Sequence, residues 1–358
     1  MTGCLLKRLV NRIENTTLLS FYAASLLVFF MLLIVVTDVL GRNLFSMPFL
    51  GSVELISLIL PAIVFLALPN ILLTETLIAS QTIADELGKK FRGIGAFLKI
   101  SFLLISLSLG FLFLISNSKN LLQSFFDKEF LGVPGDFVLA VWPSKLGLVF
   151  ASFLFICVVF SHFYILIREF KDLRARILFA VLFWGMALLL ISLFQTHITV
   201  GFVSIFLLLI LVFLGVPMAL SLLATSLIGI WLIKENLGIA IDTLGMVAGG
   251  AVSDYVFSAV PMFIFLGLIT SDADIGRDSL RVVKWMTSKL SGGLGIAVVL
   301  SNALFAAITG ISIASAAIFS KIAYPYMLEE GYSSRFSLGL IAGSSILGML
   351  IPPSILLI

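Results

Sequence analysis

The chain has 358 residues, of which 61% are hydrophobic and only 11% charged, with a formal net charge of +3. An ordinary soluble domain carries about 25% charged residues, and the mean hydropathy here is +1.21. So few charges cannot cover a soluble surface of this size; a cytosolic enzyme, a disordered chain and a basic nucleic-acid binder are excluded, and no nucleic-acid partner is expected.

Repeated apolar runs of about 20 residues match a hydrocarbon layer about 30 Å thick, so the composition implies an all-α polytopic membrane protein in a lipid bilayer. The polar/apolar alternation of a transmembrane β-barrel is absent. Apolar runs lie near 18–40, 54–73, 94–116, 138–167, 177–194, 200–233, 255–271, 293–327 and 336–358. Lys7, Arg8 and Arg12 precede the first run as they would in a signal peptide. The stretch Leu18 to Val36 is too long for that and ends at Thr37-Asp38 without a small-x-small site, which predicts a retained first helix. Asp38 and Arg42, four apart, close this helix and are placed to pair; Glu54 opens the second. These three are read either as structural or as a docking place for a partner.

Lys and Arg gather in the N-terminal tail, at Lys89, Lys90 and Arg92, and at Arg168, Lys171, Arg174 and Arg176. The positive-inside rule then predicts four spans over 1–175 with both ends cytoplasmic. The 177–194 run crosses once more and reads as a tether helix. From Gly201 to Ile233 the chain would reach about 50 Å as one helix, too long for one span. Gly215-Val216-Pro217 is expected to break it into two crossings. Asn236 to Tyr255 is expected to be an amphipathic helix at the membrane interface. The charged segment 272–292 is expected to be a solvated connection. Trp142, Trp184, Trp231 and Trp285 read as interface anchors.

The chemistry-bearing stretch is 291–354. Two short apolar halves, 293–308 and 313–327, flank a tip of small residues, Thr309-Gly310-Ile311-Ser312. Neither half spans a membrane, which predicts a re-entrant helical hairpin; the competing reading is a seam of small residues between packed helices. In a hairpin, Thr309, Ser312 and Ser315 would offer hydroxyl oxygens and the half-helix ends would face an ion or an anionic group. Downstream, Ser345, Gly348, Pro352, Pro353 and Ser354 mark either a kink or an unwound helix facing that tip. Lys321, in the second half, either snorkels or faces a cavity. His162 and His197 are isolated, Cys4 and Cys157 lie far apart in the sequence, and neither a metal centre nor a disulfide is expected. With no HExxH, no GxSxG and no P-loop, an enzyme or an ATP-driven pump is not expected.

Ordered landmarks resemble the large permease subunit of the tripartite ATP-independent periplasmic (TRAP) transporters. They are Gly215-Val216-Pro217, Val260-Pro261-Met262-Phe263 with Gly267, Gly292-Gly293-Leu294-Gly295, Thr309-Gly310-Ile311-Ser312, Pro325-Tyr326-Met327 with Gly331-Tyr332, and Ile351-Pro352-Pro353-Ser354. Residues 1–175 are similar to the small, four-helix permease subunit through Asp38, Gly41-Arg42, Pro48, Gly51 and Glu54. The resemblance implies a small-permease module (1–175), a tether helix and periplasmic loop (176–199), and the first, incomplete inverted repeat of an elevator-type transporter (200–358). It implies uptake of a small organic anion, a carboxylate or acidic sugar, delivered by a periplasmic substrate-binding protein. Na⁺ is the coupling ion and no other cofactor is implied. Asn302, Thr309, Gly310, Ser312 and Ser315 at the hairpin, with Ser345, Gly348, Pro352, Pro353 and Ser354 at the unwound helix, are the implied ion and substrate site. The implied location is the bacterial inner membrane, multi-pass, with the N-terminus cytoplasmic. At the tip Ile311 stands where the family usually has a hydroxyl. The family's large subunit also has a second inverted repeat, so the sequence reads as part of a longer chain. Were 358 residues the whole protein, a non-transporting membrane scaffold would be the alternative.

Overall fold

The computed structural model describes residues 2–77, 92–133, 137–169, 197–310 and 312–351. The expected tether run at 177–194 lies outside them, as does Pro352-Pro353-Ser354. The described chain is helical apart from a short antiparallel ribbon. It is an all-α polytopic membrane protein, and it divides into two compact units, 1–253 and 254–358.

The first unit begins with α1 (Thr2–Phe45), α2 (Ser52–Leu73), α3 (Arg92–Phe126) and α4 (Trp142–Glu169). Each contains a stretch long and apolar enough to cross a membrane: Asn11–Phe45, Ser52–Leu73, Phe97–Phe126 and Trp142–Leu166. These are the four spans expected of 1–175. Along α1 the buried residues Thr17, Ala24, Met31 and Asp38 recur every seventh position, a narrow seam toward α2. The rest of α1, including Leu19, Tyr22, Leu26 and Phe29, is exposed and apolar, as a lipid-facing surface requires.

Helix α2 contains Pro61 and Pro69. A proline lacks the N–H that would close the preceding turn, so carbonyls there are left under-satisfied. The carbonyl each proline orphans lies four residues before it, and a neighbour's hydroxyl bonds the adjacent carbonyl, three residues before it. Ser144 of α4 donates to the Leu58 carbonyl at 2.6 Å, and Ser20 of α1 donates to the Leu66 carbonyl at 2.7 Å. Farther along the α3–α4 interface, the Asn117 amide donates to Ser152 Oγ at 3.0 Å, both buried. The expected 138–167 run starts differently from its sequence reading. Strands β1 (Phe130–Val133) and β2 (Phe137–Ala140) pair antiparallel, and the helix begins only at Trp142.

Three further helices complete the unit: α5 (His197–Phe213), α6 (Met218–Lys234) and α7 (Leu237–Val252). The run from 200 to 233 is broken at Gly215-Val216-Pro217, as expected. Helix α7 packs on α2, α3 and α6 and buries Ala240 and Leu244 while exposing Met246 and Val247. It comes so close to α3 that a Cβ at Gly245 would overlap Ser116 Oγ and approach its Cβ to 2.9 Å. Lys119 Nζ reaches Asp242 Oδ1 at 2.9 Å across the same interface.

In the second unit, a 3-10 turn (Tyr255–Ser258) leads into α8 (Ala259–Asp272) and α9 (Ile275–Thr287), bent 65° apart. The segment 272–292 is therefore not a plain solvated connection. Gly276, Leu280, Val283 and Thr287 form one buried helical face, while Asp278, Arg281 and Trp285 on the same helix are exposed. Counting charges hid this three- and four-residue apolar spacing. Helices α10 (Gly293–Thr309), α11 (Ser312–Glu329), α12 (Ser334–Ser345) and the single turn α13 (Leu347–Leu350) follow. The core they share with α9 is Leu280, Val283, Leu294, Ala297, Val298, Phe305, Phe319, Ala323, Met327 and Ile341.

Candidate functional site

Helices α10 and α11 fold back on one another, as the two halves of the expected hairpin should. Phe305 and Phe319 pack with ring centroids 5.9 Å apart across them. The reversal is made at Gly310, whose φ of 64° is the left-handed conformation that side chains disfavour. Its N–H donates to the Ala306 carbonyl at 2.8 Å and so caps α10. A Cβ here would also lie 2.8 Å from the Phe263 ring, so both backbone and space demand glycine. Thr309, the last residue of α10, is fully buried, and its Oγ1 donates to the same Ala306 carbonyl at 3.3 Å. Its methyl faces Gly267 of α8, where a Cβ would stand 3.5 Å away. Ser312 opens α11 and is half-buried. Ile311, which replaces the expected hydroxyl, lies outside the described residues.

Behind the tip, Asn302 is completely buried. Its amide nitrogen donates to the Ile341 carbonyl at 2.9 Å and to Ser344 Oγ at 2.7 Å. Its amide oxygen accepts from Ser315 Oγ at 2.7 Å. Three helices therefore meet on one side chain. Ser301, beside it, is also fully buried, and its hydroxyl has no hydrogen-bond partner among the described residues.

Helix α12 ends at Ser345, the chain turns through Ile346, and α13 stops at Leu350 with Ile351 extended (φ −97°, ψ 122°). That extended residue is what a following proline requires. Ser345 is buried, but its hydroxyl bonds within its own helix, to the Ala342 carbonyl at 2.8 Å. Gly348 lies against α10: a Cβ there would overlap Ala306 and come within 2.6 Å of its carbonyl carbon.

The residues foreseen at this place thus divide. Asn302 and Ser315 meet directly. Gly348, Thr309 and Gly310 all touch or bond Ala306. Ser345 faces its own helix, and Pro352, Pro353 and Ser354 lie outside the described residues. Three contributors were not singled out as site residues by the sequence reading: Ser344, Ala306 and Phe263. Phe263 stood in a recognised landmark, and Ser344 in a run of small residues. The tip offers hydroxyl and carbonyl oxygens, donors that suit a hard monovalent cation. Among the described residues no group of His, Cys, Asp and Glu is arranged to hold a metal ion.

The other foreseen cluster lies at the end of α1. Arg42 Nη2 and Asp38 Oδ2 are 3.0 Å apart, and the Phe49 N–H donates to Asp38 Oδ1 at 2.9 Å. Asp38 is buried, so its charge organises the α1–α2 turn. That turn is sealed by β2, because Phe137 occupies the space a Cβ at Gly51 would need. Glu54 is half-buried one turn into α2. Nearby, Glu129 is held below the usual carboxylate range by Lys145, whose Nζ lies 2.6 Å away.

Two family models match successive parts of the chain. Residues 31–169 match the family model "Tripartite ATP-independent periplasmic transporters, DctQ component". Residues 205–358 match "Tripartite ATP-independent periplasmic transporter, DctM component". The C4-dicarboxylate TRAP transporter large permease protein of Rhodobacter capsulatus is 31% identical over 42% of this chain and 34% of its own length. The ectoine TRAP transporter large permease protein of Halomonas elongata is 34% identical over 40% of this chain and 34% of its own. The isethionate TRAP transporter permease protein DctMQ of Oleidesulfovibrio alaskensis is 30% identical over 39% and 22%. The chain spans about a third or less of the length of these relatives. With a DctQ component followed in one polypeptide by a DctM component, the chain belongs to the TRAP transporter permeases.

Proposed function

We propose that this chain is the membrane permease part of a secondary active transporter that couples inward Na⁺ movement to uptake of a small organic anion. The observation that carries the reading is the folded-back α10–α11 pair, whose Gly310 tip is capped on the Ala306 carbonyl while Gly348, where the next helix breaks, packs on the same Ala306, within a DctM component. Thr309, Gly310 and Ser312 would supply oxygen ligands and backbone groups at the tip, with Ser315 and Asn302 beneath them. Gly348 stands on the other side, against Ala306; Ser345 and Pro352-Pro353-Ser354 are proposed for the same site from their place in the sequence, the last three lying outside the described residues. The first turn of α11 would turn its N–H groups toward an anionic substrate group, and the end of α10 would offer carbonyls to a cation. The relatives' names point to the substrate class, small organic acids and related compounds such as C4-dicarboxylates, isethionate and ectoine.

A soluble periplasmic binding protein delivers the substrate in this scheme. The chain sits in the bacterial inner membrane with its N-terminus cytoplasmic, the orientation that places Lys7, Arg8, Arg12 and the 168–176 basic cluster inside. Helices α1–α4 serve as scaffold, and the part bearing the hairpin moves with its cargo. The protein is a transporter and not an enzyme. The test is reconstitution of the full-length gene product in liposomes with its binding protein. Uptake that requires both sodium and the binding protein is expected. Uptake that requires ATP and ignores sodium would overturn the proposal.

A further inference from the structure

We infer that Asn302 is a positioning residue: it fixes both hairpin arms to α12 and thereby sets how tightly the tip binds the coupling ion. The inference deepens the transport reading and rests on it. Asn302 stands seven residues before Thr309, so it lies about two helical turns, or ~10 Å, below the tip. Both amide hydrogens are committed to α12, through the Ile341 carbonyl and Ser344 Oγ, and the amide oxygen takes the Ser315 hydroxyl of α11. With both donors used and the group wholly buried, Asn302 holds its three helices together two turns away from where an ion would bind.

The three bonds define a register. Asn302 meets Ile341 and Ser344, and one turn later Ala306 meets Gly348. Helix α10 and the α12–α13 segment therefore run in the same direction. Holding the first pair fixes the distance of the second, which is where the tip's cap ends on the Ala306 carbonyl. An apolar contact alone would let these small-residue surfaces slide, because Ala and Gly offer little relief. An amide with donors and an acceptor in fixed directions does not slide, and breaking it leaves buried polar groups without partners. Asparagine supplies the two donors and one acceptor needed at once; a hydroxyl or a carboxylate does not.

The experiment is sodium-dependent uptake by the full-length transporter with its binding protein, comparing Asn302→Ala, Ser315→Ala, Ser344→Ala and the double variant Asn302→Ala/Ser315→Ala. Asn302→Ala should raise the sodium concentration for half-maximal uptake about fivefold or more. Ser315→Ala should raise it less, and the double variant should be no worse than Asn302→Ala, because both remove one link. A loss of membrane abundance alone would scale the maximal rate and leave the sodium dependence unchanged, and that result overturns the inference. So does a double variant whose effects multiply. Should Asn302→Ala fail to accumulate, Ser315→Ala and Ser344→Ala each still have to shift the sodium dependence. Hydrogen exchange supplies the readout that does not need transport. Amides in 312–320 and 341–346 must exchange faster in Ser315→Ala and Ser344→Ala, and unchanged protection contradicts the strut even if the wild type shows no uptake. A wild type without sodium-dependent uptake, with faster exchange in the variants, would sink the transport reading alone.

Discussion

At the scale of single residues, the tip and its surroundings are governed by what glycine allows. Gly310 combines a positive φ with a ring 2.8 Å from where a Cβ would sit. A β-branched substitute meets both penalties. Gly310→Val should cut uptake at least about tenfold while the protein still inserts, as judged by membrane abundance; wild-type uptake would show that the tip lies elsewhere. The reversal at Gly310 was legible in the sequence, because a small residue between two half-length apolar runs needs a reason. The role of Asn302 was only half legible. Its partners Ile341 and Ser344 lie some forty residues away, and no local spacing announces such a pairing. Asp38 and Arg42 were legible as a pair from their four-residue interval. The bond from the Phe49 N–H was not, since it depends on how the turn closes. Glu129 gives a pH test. Its carboxyl is held low in the folded protein by Lys145, so the stabilisation is complete above the unfolded carboxylate range and fades as pH falls through the folded value. Thermal midpoints at neutral pH and below about pH 4 should fall less for Glu129→Gln than for the wild type; an identical drop would contradict the assignment.

At the scale of elements, the long spans were the easiest to foresee and the short or mixed ones the hardest. Four uninterrupted apolar runs gave α1–α4 because hydrophobic length alone decides such helices. The break at Gly215-Val216-Pro217 was equally plain, since proline removes a donor and constrains its neighbour. The β1–β2 ribbon was missed because its four-residue strands merge into flanking apolar sequence. Helix α9 was missed because its charges outweighed its buried stripe. Within α2 the two prolines carry a quantitative expectation. Ser20→Ala and Ser144→Ala each remove a hydroxyl that ties a neighbouring helix to a carbonyl beside the one a proline orphans. Each should cost about 1 kcal/mol, read as a lowered unfolding midpoint in detergent. Ser25→Ala, whose hydroxyl bonds only to its own helix at the exposed Phe21 carbonyl, should be near neutral. Equal effects in all three would show that the two interhelical hydroxyl bonds add nothing.

At the scale of the whole molecule, the two family components and the two compact units do not share a boundary. The DctQ match ends at 169 and the DctM match begins at 205, yet the first unit runs to Ser253. Helices α5–α7 therefore pack with the DctQ helices, and the hairpin belongs to the second unit. The joint within the first unit is made chiefly by shape. The Lys119–Asp242 pair is more than half exposed on both sides, and such pairs contribute little, at most about 1 kcal/mol. Gly245 against Ser116 is a closer constraint, so Gly245→Val should destabilise the protein by about 1–3 kcal/mol, clearly more than Lys119→Ala; the reverse order would contradict this account. Sequence alone could order the modules but could not foresee that cut, because nothing in hydropathy says which neighbour an apolar helix will choose.

The central claim is that sodium moving inward drives the substrate inward through the site built around Gly310. The most direct measurement is the initial rate of uptake of a labelled organic anion, carried by its binding protein, into liposomes holding the full-length transporter. An inward sodium gradient should drive accumulation above the outside concentration, and a sodium ionophore should collapse it. Accumulation that persists at equal sodium on both sides, or that appears only with ATP, would contradict the account.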